Sequence, residues 1–184
     1  MSTKRQIRTI RENLVFENKW LRLYNDEVQF PDGSTGTYIF KEWTAPYGVA
    51  IVITKGSEAL LLENHRYKEQ NASVEIPQGF GEVNETPLSG ALRELSEETG
   101  ITGTNLVSIR SLISFGQAKK THVFHAIAHS KLTSPSNPEA SEVLGKAFWI
   151  DLRNFDANTA SLNGIFDPLT VASLMLVRSE LDLD

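Results

Sequence analysis

Gly79-Phe-Gly-Glu-Val-Asn-Glu85-Thr-Pro-Leu-Ser-Gly-Ala-Leu-Arg93-Glu-Leu-Ser-Glu-Glu98-Thr-Gly-Ile101 is the stretch around which the rest of the chain is arranged. It opens as a glycine-bearing loop and continues as a helix with readable ends. Thr86 is a good N-cap, Pro87 suits the first helical position, and Gly100 is a natural C-cap. Leu88, Ala91, Leu92 and Leu95 recur at helical spacing, which predicts one apolar face. At 100° per residue Glu94, Glu97 and Glu98 fall together on a second face, away from the leucines.

Three carboxylates at i, i+3 and i+4 repel one another, each close pair costing a few tenths of a kcal/mol, roughly, on an exposed helix. No lysine or arginine stands at Ser96, Thr99 or Ile101 to relieve them. Arg93 could reach Glu97 one turn on, or turn back toward Glu85. A solvated acidic face is one reading of this pattern. The other is a hard-cation site, because clustered carboxylate oxygens are what Mg²⁺ or Mn²⁺ takes while leaving positions open for water and phosphate.

The stretch resembles the Nudix signature: Gly, five residues, Glu, seven residues, then Arg-Glu-aliphatic-any-Glu-Glu-any-Gly-aliphatic. Gly79, Glu85, Arg93, Glu94, Leu95, Glu97, Glu98, Gly100 and Ile101 match it without a gap. Nine specified positions at fixed spacing make a specific signal. The resemblance implies a loop–helix–loop whose glutamates hold the catalytic metals, two or more per site, and an α/β/α Nudix sandwich over residues 46–184. It also implies a bracing ion pair between Arg93 and Glu85. Glu94 and Glu98 are then the principal metal ligands, Glu97 is a ligand or holds a metal-bound water, and the backbone carbonyl of Gln78 is a further ligand.

Composition sets the outer bounds. The 184 residues carry 40% hydrophobic and 22% charged side chains, ordinary for a globular protein. The net charge of −5 argues against a nucleic-acid backbone as partner, since phosphate contacts need a basic footprint. An acidic protein still binds an anionic substrate when metals lie between them. The absence of cysteine excludes disulfides and thiolate metal sites. The N-terminus lacks an apolar signal core and no run approaches membrane-spanning length, so a cytoplasmic protein with no membrane partner is expected.

In chain order, residues 1–12 are polar and mostly basic, and are expected to be frayed. Asn13 to Phe30 alternates as strands do, Pro31–Gly36 is turn chemistry, and Thr37–Trp43 is a strand again. Residues 1–45 are therefore expected to form a small antiparallel β unit ahead of the catalytic domain. Trp20 and Trp43 read as packing residues, with Trp43 or Phe40 against a nucleobase or a partner subunit as the alternative. Tyr47–Thr54 is a nearly continuous apolar run, fit for a strand buried on both faces. Ala59–Glu63 returns, and Glu75-Ile-Pro-Gln-Gly79 leads into the signature. Beyond it, Leu106–Phe115, Thr121–Ala128 and Lys146–Asp151 read as strands. Asp167 and Pro168 start a last helix with Leu169, Ala172, Leu176 and Met175 inward. His122, His125 and His129 make no metal site: His125 and His129 share a strand face but lie about 13 Å apart, and His122 faces the other way.

The aromatic-rich N-terminal segment, an Arg after the second core strand, and Glu-aliphatic-Pro-any-Gly are similar to the ADP-ribose pyrophosphatase-like branch. That likeness implies Arg66 near the substrate phosphates, where a guanidinium suits bidentate binding; an ion pair with Glu63 or Glu69 is the structural alternative. It implies a general base on the loop before the last strands, where Glu142 is preferred to Glu139. It implies a homodimer in which the N-terminal unit packs across to the partner. Hydrolases of ADP-ribose in this branch usually carry a proline a strand's length beyond the signature, and here Leu112–Gln117 has none. That departure fits a broader nucleoside diphosphate sugar hydrolase, accepting ADP-ribose, GDP-mannose or similar compounds, with Phe115 as a wall or stacking residue. The rivals are a pyrophosphohydrolase of nucleoside triphosphates or dinucleoside polyphosphates, and a catalytically silent Nudix-fold binding module.

Overall fold

The computed structural model describes residues 6–65, 67, 72–113, 119–129, 144–165 and 167–182. The chain divides into two compact units, Met1–Pro46 with Ile113–Lys119, and Tyr47–Leu112 with Lys120–Asp184.

The first unit is a four-stranded antiparallel sheet organised on β3 (Leu21–Gln29). Strand β4 (Thr35–Trp43) pairs along its whole length, from Leu21↔Trp43 to Gln29↔Thr35. The other edge is shared end to end: β1 (Arg8–Arg11) pairs Gln29 to Glu27, and β2 (Leu14–Glu17) pairs Tyr24 to Arg22. The β3–β4 turn closes on Asp32, whose carboxylate accepts from the Ser34 amide and hydroxyl, while Gly33 takes φ +90°. Residues 8–11 are thus a strand rather than a frayed end, because β3 leaves them an unpaired edge. Trp20 is exposed with the Lys19 ammonium over its ring, and so is not a packing residue. Among side chains described in this unit only Asp26 and Val28 are buried. Ile10, Val15, Phe16, Tyr38 and Ile39 are half or more exposed, or close to it.

The second unit is a mixed seven-stranded sheet with the path β11-β6-β5-β10-β9. Its strands are β5 (Gly48–Lys55), β6 (Glu58–His65), β7 (Ala72–Glu75), β8 (Gln78–Phe80), β9 (Val107–Ile113), β10 (Lys120–Ile127) and β11 (Leu144–Asp151). β5 and β10 run parallel, from Gly48↔Thr121 to Thr54↔Ile127. The β5–β6 hairpin pairs only at Thr54↔Ala59 and Lys55↔Glu58, after which the two strands diverge. The segment Ala72–Phe80 fills the gap: β7 pairs β6, β8 pairs β5, and the Ile51 amide donates to the Pro77 carbonyl.

Burial on both faces explains the continuous apolar run of β5. Val49, Ile51 and Ile53 pack with Ala91 and Leu95 of helix α1 (Pro87–Thr99). Ala50 and Val52 pack with Leu174 and Val177 of helix α3 (Pro168–Glu180). Between β11 and α3 lie a 3₁₀ turn at Leu152–Asn154 and a short helix α2 (Ala157–Leu162), so three α-helices stand among the described residues where two were expected. The inner face of α3 is Thr170, Ser173, Leu174 and Val177, with Leu169 partly buried. Met175 is exposed and Ala172 and Leu176 are only partly covered, because the Thr170 hydroxyl and not a leucine meets the β7–β8 segment. His125 is held in the sheet by Thr54 (Oγ1 to Nε2, 2.8 Å), and His122 stands edge-on to the Tyr47 ring. No helix among the described residues is long and apolar enough to cross a membrane.

Candidate active site on the signature helix

Helix α1 begins and ends as its sequence dictates. Thr86 accepts from the Ser89 amide, Pro87 opens the helix, and Gly100 ends it at φ 70° with its amide on the Ser96 carbonyl. Its buried face is not the leucine stripe. Ala91 and Leu95 are fully buried, but Leu88 and Leu92 are substantially exposed. Gly90, Glu94, Glu98 and Thr99 complete the buried side. Glu94 is 7% exposed and Glu98 3%, so these carboxylates are not on a solvated face.

A carboxylate withdrawn from water needs compensating partners. Arg93 supplies several. Its Nη1 lies 2.9 Å from Glu94 Oε1 and 3.0 Å from Glu97 Oε2. Nε and Nη2 reach the two oxygens of Glu85 at 3.2 and 3.3 Å, and Nη2 also donates to the Phe80 carbonyl at 2.8 Å. The acidic face is therefore relieved, by one guanidinium that meets Glu85 and Glu97 together. Burial works to lower the Arg93 pKa, but the hydrogen bond to Glu85 and the charge of Glu94 raise it above the ordinary value. The hydrogen bond from Arg93 in turn holds the Glu85 carboxyl below the usual carboxylate range.

The loop is moulded around these groups. A Cβ on Gly79 would lie 2.1 Å from the Glu94 carboxyl carbon, and one on Gly81 would lie 2.0 Å from the Tyr47 ring. Only glycine lets the Glu94 carboxylate rest against the strand and the Tyr47 ring rest beneath the loop. Glu85 also accepts from the Glu82 amide at 3.0 Å and from the Tyr47 hydroxyl at 3.4 Å. Burial, then the charge of Glu85, push the Tyr47 phenol pKa up.

The side chain of Gln78 turns the other way from Gly79, as alternation along a strand requires. Its amide nitrogen lies 2.8 Å from Glu75 Oε2 and 3.2 Å from Asp167 Oδ2. Asp167 caps α3, accepting from the Thr170 amide at 2.8 Å and its hydroxyl at 2.7 Å.

The NUDIX domain model matches residues 44–167, well over half of the chain. The chain belongs to the Nudix family. A second model, the nucleoside diphosphate sugar hydrolase N-terminal domain, matches residues 7–38. The ADP-ribose pyrophosphatase of Bacillus subtilis (strain 168) is 35% identical over 123 residues, covering 65% of each protein. The ADP-sugar pyrophosphatase of Mus musculus is 31% identical over 102 residues, covering 50% of this chain and 47% of its own length. A methanol dehydrogenase activator of Bacillus methanolicus is 35% identical over 94 residues, half of each protein. The chain spans about half to two-thirds of the length of these curated relatives. The solved structure of an ADP compounds hydrolase superposes with a TM-score of 0.78 at 17% identity, over 99% of this chain and 97% of that one. That likeness establishes the shared Nudix fold.

The expected site residues divide into three groups. Glu85, Arg93, Glu94 and Glu97 come together on α1 and the loop before it, Glu98 is buried on the same helix, and Gln78 lies on β8 with its side chain turned the other way. Phe40 and Trp43 belong to the N-terminal sheet, where Phe40 stacks on Tyr24 with ring centroids 4.8 Å apart and the Lys41 ammonium lies 5.3 Å from the Trp43 ring. Arg66, Phe115, Glu139 and Glu142 lie outside the described residues. The Nudix donor set suits a hard divalent cation in kind: all its atoms are oxygens, and the Glu94 and Glu98 carboxylates are buried on one helix. Among the described residues no three acidic or histidine side chains are gathered on one point, and Arg93 engages Glu94 and Glu97. A cation held there would share those carboxylates with the guanidinium.

Three contributors escaped the sequence reading. Tyr47 carried no signal beyond the start of an apolar run. In the sequence Glu75 stands only as part of the Glu-aliphatic-Pro lead and Asp167 only as a helix cap. Both meet Gln78, and the contact of Gln78 with Asp167 joins residues 89 positions apart.

Proposed function

We propose that this Nudix domain hydrolyses the pyrophosphate linkage of a nucleoside diphosphate sugar, such as ADP-ribose or GDP-mannose, to a nucleoside monophosphate and a sugar phosphate. The observation that carries the reading is the buried pair Glu94 and Glu98 on a helix braced by Arg93, in a Nudix chain whose N-terminal segment matches the nucleoside diphosphate sugar hydrolase family. The names of the bacterial and mouse relatives support the same substrate class.

Glu94, Glu97 and Glu98, with the Gln78 carbonyl, would hold Mg²⁺ or Mn²⁺, two or more ions per site. Such ions neutralise phosphate oxygens and lower the pKa of water. The protein's own part is positional. Arg93 fixes Glu94 and Glu97 against the Glu85 anchor, and Gly79 lets the loop lie directly against Glu94. A guanidinium at Arg66 would orient the diphosphate, Glu142, or failing it Glu139, would take the proton from water, and Phe115 would wall the site. Net hydrolysis adds OH to one phosphorus and H to the bridging oxygen that leaves with the other.

The exposed apolar side chains of the N-terminal sheet support a homodimer, since a two-fold interface is the commonest cover for such a surface. Phe40 and Trp43 would then stand near the nucleoside of the partner's site.

A substrate panel with Mg²⁺ tests the function, with phosphate release read after phosphatase. Turnover of nucleotide sugars well above that of nucleoside triphosphates and dinucleoside polyphosphates is expected. The reverse ranking overturns the substrate class, and inactivity on the whole panel favours a binding module. Light scattering tests the dimer, and a mass near 20.5 kDa overturns it.

A further inference from the structure

The wall between helices α1 and α3 is one residue thick at β8. On one side the Glu94 carboxylate lies against Gly79. On the other, the Gln78 side-chain amide places its two hydrogens between two carboxylates, Glu75 at 2.8 Å and Asp167 at 3.2 Å. Glu75 is 5% exposed, so this bridge is largely withdrawn from water. A second tie runs beside it: the Ile76 amide donates to Thr170 Oγ1 at 3.2 Å, and that hydroxyl donates to the same Asp167 oxygen at 2.7 Å. The N-terminus of α3 therefore grips β7–β8 at Ile76 and Gln78, on either side of Pro77.

We propose that Asp167 is a positioning residue for the metal site. By holding the Gln78 side chain, it fixes the Gln78–Gly79 peptide at the edge of the site and so aims the Gln78 carbonyl toward the cation. The inference rests on the metal reading above. Its physical basis is that a flexible carbonyl ligand loses affinity unless a further hydrogen bond sets its orientation. Only a neutral donor serves at Gln78, because a glutamate there would add a third carboxylate to Glu75 and Asp167.

Serine separates the two duties of Asp167. Asp167→Ser keeps a good N-cap but is too short to reach Gln78. Mn²⁺ binding to the full chain without substrate, followed by the electron paramagnetic resonance of free Mn²⁺, reads the effect. The dissociation constant should rise about tenfold to a hundredfold in Asp167→Ser, the usual loss when a ligand's supporting hydrogen bond goes. Gln78→Met should weaken binding similarly, and adding it to Asp167→Ser should weaken binding no further. Asp167→Asn keeps an acceptor oxygen at the right length and should restore affinity. Wild-type affinity in both Asp167→Ser and Gln78→Met overturns the positioning role, and so does additive weakening in the double variant. Failure of Glu98→Gln to weaken Mn²⁺ binding overturns the metal reading itself, a result distinguishable from the first because it does not depend on Asp167.

Discussion

Helices α1 and α3 are built to one plan and used for different ends. Each has 13 residues, a proline at its start, and a capping side chain that accepts from the third residue of the helix. They cover opposite faces of one sheet, α1 over Val49 and Ile51, α3 over Ala50 and Val52. Each buries two apolar side chains deep in its core, Ala91 and Leu95 in one and Leu174 and Val177 in the other. The contrast lies in the polar groups they bury. α1 takes Glu94 and Glu98 inside, and α3 takes Thr170 and Ser173. A buried hydroxyl asks for one hydrogen bond, whereas a buried carboxylate asks for charge compensation. Arg93 provides part of it on α1. Arg93 meets Glu94 directly, whereas α3 buries no carboxylate that would ask for such a partner.

Equivalent changes on the two helices should therefore have unequal results. The largest effect is expected for Glu98→Gln, which keeps the shape of the buried side chain. Its kcat on the preferred nucleotide sugar should fall by about two to four orders of magnitude, the scale of losing a major charge-stabilising group. Near-normal turnover in Mg²⁺ would remove the functional difference between the helices. Gly79→Ala comes next. The added methyl displaces the Glu94 carboxylate, and kcat should drop by about a hundredfold, as for an ångström-scale misplacement. Its thermal unfolding should show whether the loss is local.

Ser173→Ala is the control on α3. The hydroxyl is buried with no hydrogen-bond partner among the described residues. Removing it should leave kcat unchanged and stabilise the fold by about 1 kcal/mol, the scale of an unsatisfied buried group. A loss of activity would mean that α3 also carries chemistry. The smallest effect concerns the sheet between the helices. Burial lowers the His125 pKa below its ordinary 6.5, so the unfolded chain takes up the proton first. His125 is stabilising to the neutral fold above that value, and stability is lost progressively as pH falls from 6.5 toward the folded pKa. Denaturant midpoints of His125→Gln should show a shallower decline over that window than those of the parent.

What could be read without the structure was what the chain decides locally. Thr86, Pro87 and Gly100 end α1 through hydrogen bonds spanning three or four residues, and Asp167 with Pro168 starts α3 in the same way. The continuous apolar run of β5 marks a two-faced strand because solvent reaches neither side. The spacing of the signature puts Arg93 and the three glutamates of α1 within one another's reach, since a helix fixes those separations, while the pair of Arg93 with Glu85 is what the family resemblance implies. The orientation of α1 about its own axis was a different matter. Helical periodicity pointed to Leu88 and Leu92 as core, but the sheet turned Glu94 and Glu98 inward, because Arg93 and the bare backbone of Gly79 make that burial tolerable. The seats of Tyr47 under the loop and of Asp167 on Gln78 rest on contacts 38 and 89 residues apart, which no local pattern encodes. Caps and periods are properties of neighbouring residues. Which polar groups lie buried together is a property of the packed sheet and its two helices, and only the tertiary structure decides it.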